Sequence, residues 1–517
     1  MTIRRPLLLI HPPVAKACEP PAGIARLAGA LRAAGVPFRV LDANLEGQLD
    51  LLDRVPAAPD TWSRRALKNR EAHLDTLRAM GAYATPDRYR RAVSDLNRLL
   101  SVAGRPQGAT IGLADFQQDG LSPLSSADLL SAARHPERNP FFPWFSSRLP
   151  ELLDGIEFVG ISLNYLSQAL STFAIIGFIR RTAPRSTIVL GGGLVTSWLR
   201  RPDWHDPFAG LIDHLVAGPG ETFLLEMCGA KPSIGPPLPD FAGLPLDSYL
   251  APGRILPYSA ASGCWWNRCS FCPERAEGNA YLPLPATRVV DELQELCAIH
   301  RPALVHLLDN AVSPAVLRAL GERPLPAPWY GFVRIGAQLA DPDFCRALRR
   351  SGCVMLKLGL ESGDQAVLDA LHKGISLAMT ERVLHNLKDA GIAVYAYLLF
   401  GTPAEDETAA HRTLEFMVRN HAAIDFLNLA IFNLPAGSED AGALATEPFY
   451  DGDLSLYSSF RHPRGWERGK VRKFLASEVT RHPAIAAILR HDPPFFTSNH
   501  APFFIMAGAN RPQEPLQ

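Results

Sequence analysis

Nowhere in the 517-residue chain do about 20 uninterrupted apolar residues occur, so no membrane-spanning helix is expected. The first residues, MTIRRPLLLIHPPVAKAC, hold an apolar run of four, LLLI, closed by Pro-Pro. That run is too short for the core of a secretion signal. An excess of either charge is also missing, since Lys+Arg and Asp+Glu both number 52. Dedicated nucleic-acid binders carry a basic excess, so no nucleic acid is expected as a partner. Cysteine is sparse, with eight residues. Without a secretion signal these are expected in a reducing cytoplasm. Disulfides are disfavoured there, and clustered cysteines read as metal ligands or catalytic groups. The fingerprint G-x-G-x-x-G is missing after the first strand, which speaks against NAD or FAD. Low-complexity segments are absent too. Composition is that of an ordinary globular chain, 47% hydrophobic and 20% charged. Its length allows two to four domains with sizeable cores.

What is present is alternation. PLLLIH (6–11), FRVLDA (38–43), IEFVGISL (156–163), TIVLGGG (187–193) and HLVAGPGE (214–221) read as strands or strand ends. Helical patterns follow them at about 21–35 and 167–181. Apolar strands alternating with helices predict a parallel, doubly wound sheet over 1–230. Its glycine-rich strand ends fall where such folds bind ligands. An insertion at about 45–150 separates the second strand from the third. Within it, 63–81 and 86–103 read as helices. The remainder reads as irregular and holds FFPWF (141–145); lid, dimer surface and plain packing all stay open for it.

Residues 231–252 carry six prolines and read as a stiffened linker. A second alternating series then occupies 253–440. Its strands are predicted at 256–262, 304–309, 330–336, 354–361, 394–401 and 426–434. Helices are predicted at 286–300, 314–321, 341–351, 364–372, 378–390 and 405–420. Six βα units predict a partial TIM-like (β/α)6 barrel, with its chemistry at the carboxyl ends of the strands. The remaining 441–517 reads as a mostly helical extension. Its stretch 461–481 holds seven Arg or Lys against two Glu, best read as a solvated helix face.

Directly after the first barrel strand stands SGCWWNRCSFCPERA (262–276). Cys264, Cys269 and Cys272 are spaced C-x4-C-x2-C. Three thiolates on a four-iron cluster fill three irons and leave one open for an outside ligand. A fourth cysteine would close the cluster and make an electron carrier. Structural zinc, which takes four protein ligands, and unrelated packing cysteines are the competing readings. No other Cys lies between Cys228 and Cys297, and no His does either. The scattered Cys18, Cys228, Cys297, Cys345 and Cys353 read as small buried hydrophobes.

A three-cysteine loop after the first barrel strand, with Phe271 before the last cysteine, resembles the radical S-adenosylmethionine superfamily. GLESGDQAVLDALHKGIS (359–376) and LLFGTPAEDE (398–407) resemble its fourth and fifth strand segments, and LLDNA (307–311) and FVRIG (332–336) its second and third. The usual spacing there is C-x3-C-x2-C; this chain has one residue more among Trp265, Trp266, Asn267 and Arg268. The resemblance covers about 255–440. It implies that Cys264, Cys269 and Cys272 hold a [4Fe-4S] cluster whose open iron is chelated by S-adenosylmethionine. It further implies that Asp309 and Asn310 contact the methionine amino end, that Arg334 pairs with its carboxylate, and that Glu361 with Ser362 reaches the ribose. Gly401 and Pro403 would shape the adenine-side loop. Structural caps or salt bridges at strand ends are the plainer roles for the same side chains.

The amino-terminal half resembles the cobalamin-binding domain that precedes some radical S-adenosylmethionine barrels. The matching pieces place Ser162, Gly191, Gly192, Gly193, Gly218, Gly220 and Glu221 at the cofactor, their glycines letting backbone approach a corrin or its nucleotide tail. A Rossmann-like domain with another nucleotide, or none, is the alternative. The histidine motif D-x-H-x-x-G is not matched: Asp203-Trp204-His205 lacks the glycine and follows the fourth strand. His11 belongs to no motif.

Together the resemblances imply a cobalamin-dependent radical S-adenosylmethionine enzyme, foremost a methyltransferase acting on an unactivated carbon of a small molecule or peptide. An electron donor such as flavodoxin or ferredoxin is the implied partner. Rearrangement, cyclisation or oxidation with the same cofactors is the alternative. A non-catalytic iron–sulfur electron-transfer or sensor protein, and a zinc scaffold, are the rivals from other classes. Substrate identity is not legible.

Overall fold

The computed structural model describes residues 6–56, 60–231, 235, 237–490, 492–493 and 496–509. Pro232 and Pro236 of the proline-rich segment and Phe495 of the tail lie outside them. The chain divides into two compact units. One comprises Met1–Gly253, Tyr450–Leu456 and Pro494–Thr497; the other comprises Arg254–Phe449, Tyr457–Pro493 and Ser498–Gln517.

In the first unit, LLLIH forms strand β1 (Leu7–His11), buried at all five positions. An all-apolar run of this length has no face to offer water, so it takes the centre of the sheet. β2 (Phe38–Asp42) pairs with it on one side. The insertion contributes a hairpin of β3 (Ala109–Ile111) and β4 (Phe116–Gln118). β5 (Phe158–Ser162), β6 (Thr187–Gly191) and β7 (His214–Leu215) complete a five-stranded parallel sheet of order β2-β1-β5-β6-β7. The strand order reverses between β1 and β5. Open α/β sheets bind ligands at that crevice, beyond the carboxyl ends of the strands.

The insertion holds helices where 63–81 and 86–103 are expected to be helical, and its remainder differs from its irregular reading because much of it is helical too. Helices span Ala43–Asp53, Thr61–Lys68, Arg70–Arg78, Pro86–Gly104, Ser126–Arg134 and Phe142–Leu153. FFPWF enters the last of these, with Pro143 in its first turn, where the missing N–H costs nothing. Phe141 and Phe145 are fully buried. Phe145 meets Phe178 edge-on at 5.6 Å. Plain packing therefore explains this run. Nearby, Gly177 lets helix Leu166–Thr182 approach helix Ser126–Arg134, since a Cβ there would overlap the Ala133 backbone. The proline-rich segment is built into the same unit: Asp240 N–H donates to Ala25 O and Leu250 N–H to Ala17 O, both at 2.8 Å.

The second unit begins with β8 (Ile255–Tyr258) and a short pair, β9 (Ala261–Ser262) with β10 (Leu282–Pro283). β11 (Leu304–Leu307), β12 (Trp329–Val333), β13 (Cys353–Glu361), β14 (Ala393–Phe400) and β15 (Phe426–Ile431) follow, each after a helix. All are parallel, in the order β15-β14-β13-β12-β11-β8. Each strand thus lies beside its predecessor in the series, as repeated right-handed βα units require. Among the described residues β15 and β8 do not pair, so the barrel is partial. Residues after β15 form a small antiparallel sheet and then helices Arg468–Phe474, Pro483–Leu489 and Ala501–Ala509. No helix among the described residues is long and apolar enough to cross a membrane.

Candidate functional site

The cysteine loop leaves the barrel just after β8. Gly263 turns it at φ 73°, with the Ala280 carbonyl against the place a Cβ would take. Cys264, Cys269 and Cys272 are all half-buried and form no disulfide. Burial pushes the Cys269 thiol up, while the cations Lys373 and Arg334 pull it back down. Burial pushes the Cys272 thiol up to about 11, opposed by hydrogen bonds from the backbone of Glu274 and Arg275.

The loop is seated on the segment after β13. Ser270 N–H donates to Leu371 O at 3.1 Å. Phe271 packs against Val367, Leu371 and Ala409. Above its ring, 5.6 Å away, stands Lys373 Nζ. Lys373 Nζ is paired to Glu361 Oε1 at 2.8 Å, with both side chains about nine-tenths buried. Gly359 makes room for that pair, because a Cβ there would lie 2.7 Å from Lys373 Nζ. Glu361 itself has φ 65°, at a register shift in the β13–β14 pairing.

Of the other barrel-end residues, Asp309, Ser362 and Arg334 have protein partners. Asp309 is buried, and its Oδ2 accepts the Ala260 N–H at 3.1 Å, tying β11 to the start of the cysteine loop. Asn310 is exposed. Ser362 is fully buried, lies 3.1 Å from Thr413 Oγ1 and accepts the Asp364 N–H. Arg334 donates to the carbonyls of Ile335, Lys373 and Gly374, and lies against Trp266. Lys373, Gly374 and Trp266 were not singled out for these contacts by the sequence. Their pairings join positions 12 to 108 residues apart, and only three-dimensional proximity reveals them.

The residues expected at a second cofactor share the carboxyl edge of the five-stranded sheet. Asn164 organises them: its Nδ2 donates to Ser162 Oγ at 3.1 Å, and its Oδ1 accepts the Gly193 N–H at 3.0 Å. Gly191 ends β6. Gly192 has φ 108° and packs so closely on Leu163 that a Cβ would collide with backbone. Gly218 has φ 72° and gives its N–H to Thr196 Oγ1 at 2.9 Å, while the space a Cβ would take stays open. Gly220 precedes the helix Glu221–Met227, and Glu221 pairs with Arg26 Nε at 3.3 Å. Gln168 fixes the crevice by bonding the Pro12 carbonyl and the Asn164 N–H. Asn164, Gln168 and Thr196 escaped the sequence reading, having no motif around them. His205 is exposed beside Asp203. His11 is buried, and its Nδ1 has no hydrogen-bond partner among the described residues.

Residues 258–417 match the radical SAM superfamily, which spans the cysteine loop and β11 through β14. The barrel is a radical SAM domain. A magnesium-protoporphyrin IX monomethyl ester cyclase of Rubrivivax gelatinosus is 29% identical over 170 residues, 31% of this chain and 29% of that protein. A bacteriochlorophyllide d C-12(1)-methyltransferase of Chlorobaculum tepidum is 27% identical over 184 residues, 34% of this chain and 40% of that protein. The chain thus spans well under half the length of these relatives. Among solved structures, the radical S-adenosylmethionine methyltransferase TsrM of Kitasatospora setae matches with TM-score 0.57 at 17% identity, over 98% of this chain and 95% of that one. The cobalamin-dependent radical enzyme OxsB matches with TM-score 0.57 at 10% identity, over 89% of this chain and 65% of that one. These likenesses establish the fold of both halves.

The donor set of the radical SAM domain suits a cluster. The loop offers three thiols, flanked by Arg334 and Lys373 to balance thiolate charge, whereas tetrahedral zinc takes four ligands. Among the described residues no three His, Cys, Asp or Glu side chains are grouped to close on a single ion.

Beyond β14 of the radical SAM domain, Gly401 turns at φ 78° and a cavity of about 80 Å³ opens, lined by Gly401, Phe432, Phe460, His462 and Trp466 among others. Glu405, fully buried, is bonded to two of these lining residues. Its Oε2 accepts the Gly401 N–H and, at 3.0 Å, the Trp466 Nε1–H; its Oε1 has no hydrogen-bond partner among the described residues. Burial raises this carboxyl to about 7, against the opposing pull of those two donors. From about pH 4.5 to 7 the folded chain therefore keeps a proton that the unfolded chain has released. Stability falls as pH rises through that window, by about 3 kcal/mol. Glu405→Gln is expected to flatten this slope and to melt above the parent at pH 8; superimposable pH–melting curves would refute the assignment. Three side chains of the basic stretch beyond are engaged: Arg468 bonds Phe432 O, Arg464 pairs with Asp406, and Lys470 bonds Gly465 O.

Proposed function

We propose that the protein is a cobalamin-dependent radical S-adenosylmethionine methyltransferase acting on a carbon of a small molecule or peptide. The observation that carries this reading is the three-thiol loop at the carboxyl end of β8, within a radical SAM domain, in a chain whose first unit adds a doubly wound sheet. Cys264, Cys269 and Cys272 are the residues to hold a [4Fe-4S] cluster. The edge formed by Ser162, Gly191, Gly192, Gly193, Gly218, Gly220 and Glu221 is the place for cobalamin. When bound, the cluster and S-adenosylmethionine supply one-electron radical chemistry, and cobalamin supplies methyl transfer.

The chain's own part is to position and to exclude water. The half-buried thiols of the cysteine loop are partly screened from solvent. Asp309, held by the Ala260 N–H, fixes the spacing between β8 and β11. A one-electron donor such as flavodoxin or ferredoxin is required as partner. One relative is a cyclase, and that favours ring closure with the same cofactors as the second reading.

Anaerobic reconstitution with iron, sulfide and hydroxocobalamin tests the proposal. About four irons and about one cobalt per chain are expected. Labelled methyl groups from S-adenosylmethionine should then appear in product. Iron without cobalt would reject methyl transfer as the activity, and zinc in place of iron would reject the radical reading. Deoxyadenosine release with no methyl in any product would favour the cyclase.

A further inference from the structure

Between Cys264 and Cys269 the backbone turns at Asn267, with φ 42°. Asparagine tolerates this left-handed conformation better than most residues. Just before that turn, the Trp266 indole N–H donates to His372 O at 3.2 Å. The Arg334 guanidinium lies 3.6 Å from the centroid of the Trp266 ring, and that of Arg268 lies 5.0 Å from it. Gly374 completes the seat: with φ 63°, a Cβ there would stand 2.5 Å from the Trp266 ring and 2.8 Å from Arg334 Nη2.

Arg334 is already committed on its remaining sides. Its Nη2 donates to the carbonyls of Lys373 and Gly374, and its Nη1 to Ile335 O at 3.0 Å. Only Nε has no hydrogen-bond partner among the described residues. A guanidinium that binds a carboxylate side-on needs two parallel N–H groups free. This one spends its fork on backbone and its face on an indole, the geometry of a stacked, desolvated cation.

We propose that Trp266, Arg334 and Gly374 form a latch that pins the cysteine loop to the segment after β13. Arg334 is then a positioning residue for the loop, not the partner of a bound carboxylate. The purpose of the latch rests on the cluster-binding reading of the loop; its existence is a property of the cofactor-free chain.

The test is anaerobic alkylation of the cofactor-free protein by iodoacetamide, followed at each cysteine by peptide mass spectrometry. Trp266→Ala and Arg334→Gln are expected to speed the reaction of Cys264 and Cys269 by at least about fivefold. Trp266→Phe, which keeps a ring for the guanidinium, should stay within about twofold of the parent. Cys345 and Cys353 are fully buried and report on the barrel itself; they should stay unreactive throughout. Unchanged rates at Cys264 and Cys269 in both variants would overturn the latch. So would unchanged alkylation in Arg334→Gln together with weakened S-adenosylmethionine binding by the cluster-loaded protein, since Arg334 would then be a ligand contact. If Trp266→Ala exposes Cys353, Gly374→Ala, whose methyl displaces the indole, is judged by the same fivefold criterion. Parent iron uptake, measured separately, bears only on the cluster reading.

Discussion

A Cys269→Ala chain is expected to fold, to retain no intact four-iron cluster, and to cleave S-adenosylmethionine more than about a thousandfold more slowly than the parent. Loss of one of three thiolates leaves a second iron without a protein ligand, so the cluster is no longer held at three corners. The fold should survive for a local reason. The loop is anchored by Phe271 in an apolar cluster, by the Trp266 indole N–H and by the Ser270 N–H, none of which involves the Cys269 sulfur. Far-ultraviolet circular dichroism and the melting midpoint should therefore stay near the parent values. The control is Cys345→Ala. That side chain is fully buried and gives its thiol to the Leu339 carbonyl. Its removal should cost about 1 kcal/mol of stability through a small cavity and leave the iron count unchanged. Full iron retention by Cys269→Ala, measured by iron assay and by the visible spectrum, would remove the loop from the metal site.

The barrel was legible because its strands are buried on both faces. A run such as VMLKLGLE has no polar alternation to obscure it, and β13 extends over Cys353–Glu361, one residue beyond the expected start. The insertion was less legible for a matching reason. Helix Phe142–Leu153 carries prolines at its first turn and at Pro150, so a proline-rich aromatic run concealed a helix. At the site, residue type announced the three thiols, but it could not say where a polar side chain points. Asp309, Ser362 and Arg334 are the right types for a charged cofactor, yet each is bonded to neighbouring protein groups. Such pairings join residues tens of positions apart and leave no periodic trace. Asn164 and Gln168, which hold the crevice of the first sheet together, are silent in the sequence for the same reason.

Lys373→Met is expected to destabilise the protein by about 3–5 kcal/mol, because it leaves the Glu361 carboxylate buried without its counter-ion. For a unit of this size that is a fall in melting midpoint of roughly 6–12 °C. Glu361 cannot relieve itself by turning to water. It sits at a strand end in a left-handed conformation, and its carboxylate and Lys373 Nζ both press on the space above Gly359. Glu361→Gln alone should cost less, since the Lys373 ammonium keeps the Phe271 ring 5.6 Å away. The double variant Lys373→Met/Glu361→Gln removes both charges together and should recover more than half of the single-variant loss, a coupling expected of two groups in direct contact. The same three variants separate stability from site electrostatics. Lys373 is the cation that most favours the charged form of Cys269, and Glu361 opposes it. If the loop holds a cluster, loss of Lys373 alone removes positive charge beside it and should make its midpoint potential more negative. Loss of the pair should move that potential less. Melting midpoints measured without cofactor, set against potentials from electron paramagnetic resonance titration of reconstituted protein, read the two effects independently. A Lys373→Met variant as stable as the parent would show that the ion pair carries no stability, whatever the potential does.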